Sequence, residues 1–123
     1  MNLSPKLLAI ESFGNQLFFV DESVLDPRPE TELLVEKVLE LPNSKLSLID
    51  LGTGSGCIAI SIARERHNFE VFASDISNDA LKVAKKNSNF YQTSITFIKS
   101  DWFTKIDRKF DVIIANPPYI SKK

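Results

Sequence analysis

The stretch Asp50-Leu51-Gly52-Thr53-Gly54-Ser55-Gly56 constrains this chain more than any other. It follows a compact apolar run, Leu46–Leu51, and precedes a segment whose Ile58, Ala59, Ile62 and Ala63 share one helical face. Glycine at such a junction permits positive φ and lets a ligand approach the main chain where a Cβ would clash. The helix that follows offers free N–H groups and the positive end of its dipole. Glu70–Ser74 reads as a second strand ending at Asp75, 23 residues beyond Gly52. An acid there, at the tip of the neighbouring strand, is placed to accept hydrogen bonds from a ribose diol. The plain alternative is a tight βα turn beside a solvated Asp.

The rest of the chain continues the alternation. Ser77 can cap a helix running to about Asn87 with Leu81 and Ala84 inward. Ile95–Ile98 reads as a third strand and 110–115 as a fourth. Strands alternating with helices indicate parallel βαβ units. Upstream, residues 12–20 (SFGNQLFFV) place Gly14-Asn15 beside a β-prone run, which predicts a hairpin or short edge strand. Pro27-Arg28-Pro29 blocks helix before it, and from Glu30 the apolar residues Leu34, Val35, Val38 and Leu41 recur with helical spacing. Pro29 suits the first helical position, with Glu30 and Glu32 beside the positive end, and Pro42-Asn43-Ser44 stops the helix. The predicted class is therefore α/β: a parallel sheet of four strands, preceded by a short β-hairpin and a helix.

Composition removes several functions. A chain of 123 residues is one domain by default, and 15 Lys and Arg against 16 Asp and Glu leave a net charge of −1. That balance lacks the basic footprint of an autonomous nucleic-acid binder. The apolar runs are too short to span a membrane, and the opening MNLSPKLLAIESFG does not resemble a signal peptide. Cys57 is the one cysteine, so no internal disulfide forms, which fits a reducing cytoplasm. With His67 as the one histidine, a Cys/His zinc site is excluded, and no metal is expected. His67 reads as a surface residue at a helix end and Cys57 as a small buried residue behind the glycine loop.

Glycine spacing also discriminates among nucleotide cofactors. A dinucleotide fingerprint would need glycine where Cys57 stands, and no Gly-Lys-Ser/Thr follows for a phosphate loop. Asp50 is a poor neighbour for a pyrophosphate and a good one for an ammonium group. An acid, a glycine turn (Gly52, Thr53, Gly54, Ser55, Gly56) and a ribose acid, Asp75, together suit S-adenosylmethionine. Past the third strand, Asp101 is placed to accept from an adenine amine and Trp102 to stack on the ring; ordinary core is the rival reading for Trp102.

Asn116-Pro117-Pro118-Tyr119, directly after the fourth strand, is the sharpest motif. Two prolines fix φ and remove two backbone donors, leaving carbonyls free to face a ligand. Asn116 adds a side-chain acceptor, so the loop can hold both hydrogens of an –NH₂ group and favour the nitrogen as charge develops on it. Tyr119 would supply a flat wall against a planar amide or base. A polyproline turn ending a strand is the plain alternative. In a doubly wound sheet the first and fourth strands adjoin where the strand order reverses, so the two loops should converge.

These residues, Asp50–Gly56, Asp75, Asp101-Trp102 and Asn116–Tyr119, resemble the class I S-adenosylmethionine-dependent methyltransferases that modify planar –NH₂ groups. The run Pro27-Arg28-Pro29-Glu30-Thr31-Glu32 resembles, more narrowly, the HemK/PrmC family, which methylates the glutamine side-chain amide in the Gly-Gly-Gln motif of peptide chain release factors. The resemblance covers roughly residues 12–121 and implies part of a Rossmann-like class I methyltransferase sheet, its four strands ordered 3-2-1-4. It implies S-adenosyl-L-methionine as cofactor, a release factor as protein substrate, and no direct nucleic-acid or membrane partner. It implies that the glycine loop, Asp75 and Trp102 contact the cofactor. Asn116 would lie between cofactor and substrate, Pro117, Pro118 and Tyr119 would grip the glutamine, and Arg28 and Glu30 would line the entrance. A capped helix start explains the composition of Arg28–Glu32 equally well. Transfer would be direct, with catalysis resting on Asn116, Pro117 and Tyr119 and with no dedicated base.

Family members carry a helical domain before this region and three further strands after Asn-Pro-Pro-Tyr. The chain accordingly reads as truncated at both ends: 1–29 a hairpin and linker remnant, 30–123 the N-terminal half of the methyltransferase domain, with another chain as a source for the missing half. Two other functions fit the same residues. An adenine-N6 nucleic-acid methyltransferase would use the same acceptor loop, but the net charge and the Arg28–Glu32 run disfavour it. A non-catalytic remnant that merely binds the cofactor is the other.

Overall fold

A computed structural model of the chain describes residues 9–13, 16–20, 29–101 and 106–115. Two short strands, β1 (Ala9–Phe13) and β2 (Gln16–Val20), pair antiparallel from Ala9↔Val20 to Phe13↔Gln16. That register leaves a two-residue connection, as the Gly14-Asn15 signal predicts. Helix α1 (Pro29–Leu39) begins with proline at its first position, where a missing N–H costs nothing. It ends sooner than the apolar spacing suggests: Leu41 lies beyond it, 37% exposed.

The main body alternates as predicted: β3 (Ser47–Leu51), α2 (Cys57–Glu65), β4 (Glu70–Asp75), α3 (Asn78–Phe90), β5 (Ile95–Lys99) and β6 (Val112–Ala115). The four strands form a parallel sheet in the order β5-β4-β3-β6, the predicted 3-2-1-4 arrangement. Central β3 is covered on both faces, which is why its sequence is a nearly unbroken apolar run. On one face Leu48, Val71, Ala73 and Ile114 meet Val35 and Val38 of α1 and Ile58, Ala59 and Ile62 of α2. On the other, Ile49, Leu51 and Phe72 pack with Ile98, Ile106 and Phe110.

The fourth strand of the alternating set starts two residues later than its sequence suggests. Phe110 leaves the ladder and meets Phe72 edge to face, ring centroids 5.1 Å apart, with the Arg108 guanidinium over both rings. Asp111 then anchors the strand start: its carboxylate accepts from the Ser47 backbone N–H at 2.9 Å and the Ser47 hydroxyl at 3.2 Å. Among the described residues, no helix is long and apolar enough to cross a membrane.

Candidate functional site

The glycine loop joins the carboxyl end of β3 to α2, and its main chain is tied down bond by bond. The N–H groups of Gly52 and Thr53 both donate to Ser74 O at the end of β4, at 2.9 and 2.8 Å. Gly54 N–H donates to Asp75 Oδ2 at 3.0 Å, and Gly56 N–H to Thr53 O at 2.8 Å. Gly52, Gly54 and Gly56 all have positive φ, so the sequence places glycine where a side chain would be strained. Their surroundings differ. A Cβ on Gly54 would meet open space, whereas one on Gly56 would lie 3.2 Å from Ala84 Cβ and 3.1 Å from Ile60 Cδ1. Gly56 thus lets α3 come close, and Gly52 and Gly54 leave the outer side of the loop clear.

Thr53 and Ser55 point inward. Both are buried, and the Thr53 hydroxyl donates to Asp50 Oδ2 at 2.8 Å. Asp50 is 1% exposed, and its Oδ1 is buried without a hydrogen-bond partner. Burial pushes the Asp50 carboxyl up to about 7; the Thr53 hydrogen bond opposes the rise and the nearby Asp75 charge adds to it. A buried carboxyl oxygen lacking a donor is costly, and a cationic donor such as an ammonium group would satisfy it.

Asp75 occupies the tip of β4, but its carboxylate already serves the fold. Oδ2 accepts from Gly54 N–H, and Oδ1 accepts from Ser77 N–H at 3.0 Å. A carboxylate can accept about four hydrogen bonds, so capacity remains for a diol. Ser77 caps α3 as predicted, its Oγ accepting from Ala80 N–H at 3.1 Å. Ser100 N–H donates to Asp75 O at 3.0 Å, and exposed Asp101 follows at the same end of the sheet.

The structure therefore brings together Asp50, Gly52–Gly56 and Asp75, with Asp101 on the same edge. Trp102, Arg28, Asn116, Pro117, Pro118 and Tyr119 lie outside the described residues; Glu30 lies in the first turn of α1. Cys57 is buried behind the loop, where burial pushes its thiol up to about 12. His67 is exposed just beyond α2, its Nε2 3.1 Å from Arg64 O. A cleft of about 790 Å³ opens at the opposite, amino end of the sheet, lined by residues such as Arg64, His67, Tyr91 and Thr93. It contains none of the residues assigned to the cofactor or the substrate.

One residue of the site escapes sequence reasoning. The Asn87 side chain, fully buried on α3, donates from Nδ2 to Ser55 O at 2.8 Å. Its signal was present: Asn87 falls on the inward face with Ala80, Leu81 and Ala84, where an apolar residue is the default.

Comparison with known proteins agrees with this geometry. Residues 22–123 match the family described as "Methyltransferase small domain". A release factor glutamine methyltransferase of Lactococcus lactis is 53% identical over 103 residues, 83% of this chain and 38% of that protein. One from Buchnera aphidicola is 40% identical across 98% of this chain and 46% of its own length. The chain thus spans less than half the length of these curated relatives. Among solved structures, the Pyrococcus abyssi tRNA (uracil-54, C5)-methyltransferase in complex with S-adenosyl-L-homocysteine superposes with a TM-score of 0.73. That likeness, at 22% identity over 92% of this chain and 28% of the other, is one of fold. Matched over most of its length, the chain belongs to the methyltransferase small domain family, and its sequence places it with the HemK/PrmC group.

Proposed function

We propose that this chain carries the cofactor site and the acceptor loop of a methyltransferase that modifies the glutamine side-chain amide in the Gly-Gly-Gln motif of peptide chain release factors. The observation that carries this reading is a register. Ala115, the residue bonded to Asn116, pairs across the ladder with Leu51, the residue bonded to Gly52. The two loops therefore leave neighbouring strands directly after the same rung, at the carboxyl ends where strand order reverses and where ligands bind in such sheets.

The residues present fit S-adenosylmethionine. Asp50 Oδ1 is a buried acceptor in need of a cation, Gly52 and Gly54 offer a surface without side chains, and Asp75 keeps lone pairs for a ribose. Bound there, the cofactor supplies an electrophilic methyl group. Asp101 would accept from the adenine amine, and Trp102 would stack on the ring. Asn116 and the donor-poor Pro117-Pro118 segment would accept both amide hydrogens and aim the nitrogen lone pair; the same acceptors favour that nitrogen as it becomes tetrahedral and positive. Tyr119 would flank the planar amide, and Arg28 and Glu30 would line the approach. The nitrogen turns acidic as it is methylated, so no side chain need act as base.

The test is a transfer assay with methyl-labelled S-adenosylmethionine. Label is expected on a release factor bearing Gly-Gly-Gln and absent from one bearing Gly-Gly-Ala. Label on adenine in DNA would replace this substrate with a nucleic acid. Cofactor binding without transfer to either would reduce the chain to a binding module.

A further inference from the structure

We infer that Asn87 is a positioning residue for the cofactor loop, holding its central peptide groups from behind; this rests on reading that loop as the cofactor site. The loop's outer side stays clear only if its main chain keeps three left-handed glycines in place, and two alternate peptide planes, joined by a shared hydrogen bond, control that. The plane between Thr53 and Gly54 is fixed at both ends: Thr53 O accepts from Gly56 N–H, and Gly54 N–H donates to Asp75. The plane between Ser55 and Gly56 is fixed at one end by that same Gly56 N–H and at the other by Asn87 Nδ2 on Ser55 O. Without the amide, Ser55 O loses its Asn87 partner in a buried setting, and the plane is free to turn. Rotation there would swing Gly56 N–H off Thr53 O and disturb the plane that carries Gly54.

Asn87 suits this role because α3 stands close. Ala84, one turn earlier, lies against the Gly56 Cα at a separation that would crowd even a methyl group, so the Asn87 side chain reaches the loop without stretching. A buried side-chain amide among apolar neighbours is costly unless it is bonded, and its placement on the inward face is explained by the carbonyl it meets. Ser88, the next residue, provides a contrast. It is equally buried, but its hydroxyl pairs with Thr93 Oγ1 at 2.7 Å and does not serve the loop.

The experiment compares Asn87→Leu, which keeps volume and removes the donor, with Asn87→Asp, which keeps shape, and with Ser88→Ala as the control for general loosening of α3. Two readouts are needed: the affinity for S-adenosylhomocysteine by calorimetry, and amide hydrogen exchange at Gly54 and Gly56 in the ligand-free protein. Both Asn87 variants are expected to weaken binding about tenfold or more and to accelerate exchange at Gly56 by a similar factor, as loss of one buried hydrogen bond implies. Ser88→Ala is expected to lower the melting temperature with neither effect. If Asn87→Leu does not fold, Asn87→Asp carries the comparison. Unchanged affinity and exchange in the Asn87 variants, or equal changes in Ser88→Ala, would overturn the inference. Faster exchange in the Asn87 variants, with a wild-type chain that binds no S-adenosylhomocysteine, would keep the loop clamp and remove the cofactor reading.

Discussion

Two strand-to-helix turns lie side by side at the carboxyl end of the sheet, and they are finished in opposite ways. The turn from β4 into α3 is closed by its own side chains: Asp75 accepts from Ser77 N–H, and Ser77 accepts from Ala80 N–H. The turn from β3 into α2 has Gly56 at the cap position with no side-chain cap, and behind it Asp50 keeps one oxygen buried without a donor. The capped turn satisfies its own helix start, and the buried orphan beside it, Ser74 Oγ, is a neutral hydroxyl. A turn with glycine at its cap and an unsatisfied acid beneath it has affinity left for something else, and that contrast marks the second as the binding turn.

The comparison breaks most visibly at Gly56. Gly56→Ala combines a left-handed φ of 85° with contacts of 3.1–3.2 Å to Ile60 and Ala84, so it should destabilise by about 2–5 kcal/mol in urea denaturation. Gly54→Ala has only the backbone strain, about 1–2 kcal/mol, because its Cβ enters open space. Its larger effect should be on S-adenosylhomocysteine affinity, since that methyl group stands where the ligand would lie. Losing the Ser77 cap is the mildest change. Ser77→Ala should cost about 1 kcal/mol in the same denaturation experiment and shift cofactor affinity less than Gly54→Ala does.

The turn from β3 into α2 also carries a pH-sensitive group. The Asp50 carboxyl is raised from 3.8 to about 7 by burial, so the fold favours its neutral form. Its contribution to stability is complete below about pH 4 and is lost as pH rises through about 7. Asp50→Asn should therefore flatten the fall in stability between those limits, measured as urea midpoints across pH. An ammonium ligand reverses the preference, because it favours the ionised carboxylate. Cofactor binding should then release a proton near neutral pH, seen as calorimetric heats that depend on the buffer's ionisation enthalpy.

Much of this was legible in the sequence, for identifiable reasons. The parallel sheet followed from strands alternating with helices, its order from the family resemblance, and the loop from glycines between a buried strand and an amphipathic helix. Asp75 and Ser77 were legible because capping and strand-tip acids are local signals. What stayed hidden depended on tertiary neighbours. Thr53 was expected to contact the cofactor as part of the loop, and only the folded chain shows its hydroxyl bonded to Asp50. Phe110 was assigned to a strand by its apolar character, but Phe72 and Arg108 draw it out of the ladder. Asn87 is a polar residue on an apolar helix face, and only the folded chain shows the carbonyl that it meets.

Calorimetric titration of this chain with S-adenosylhomocysteine at pH 8 and at pH 6 tests the central claim most directly. Binding is expected to be saturable, one-to-one and weaker at the lower pH, where Asp50 must give up a proton to receive the ammonium group. Silent titrations at both values, or binding that Asp50→Asn and Gly54→Ala leave untouched, would contradict that claim.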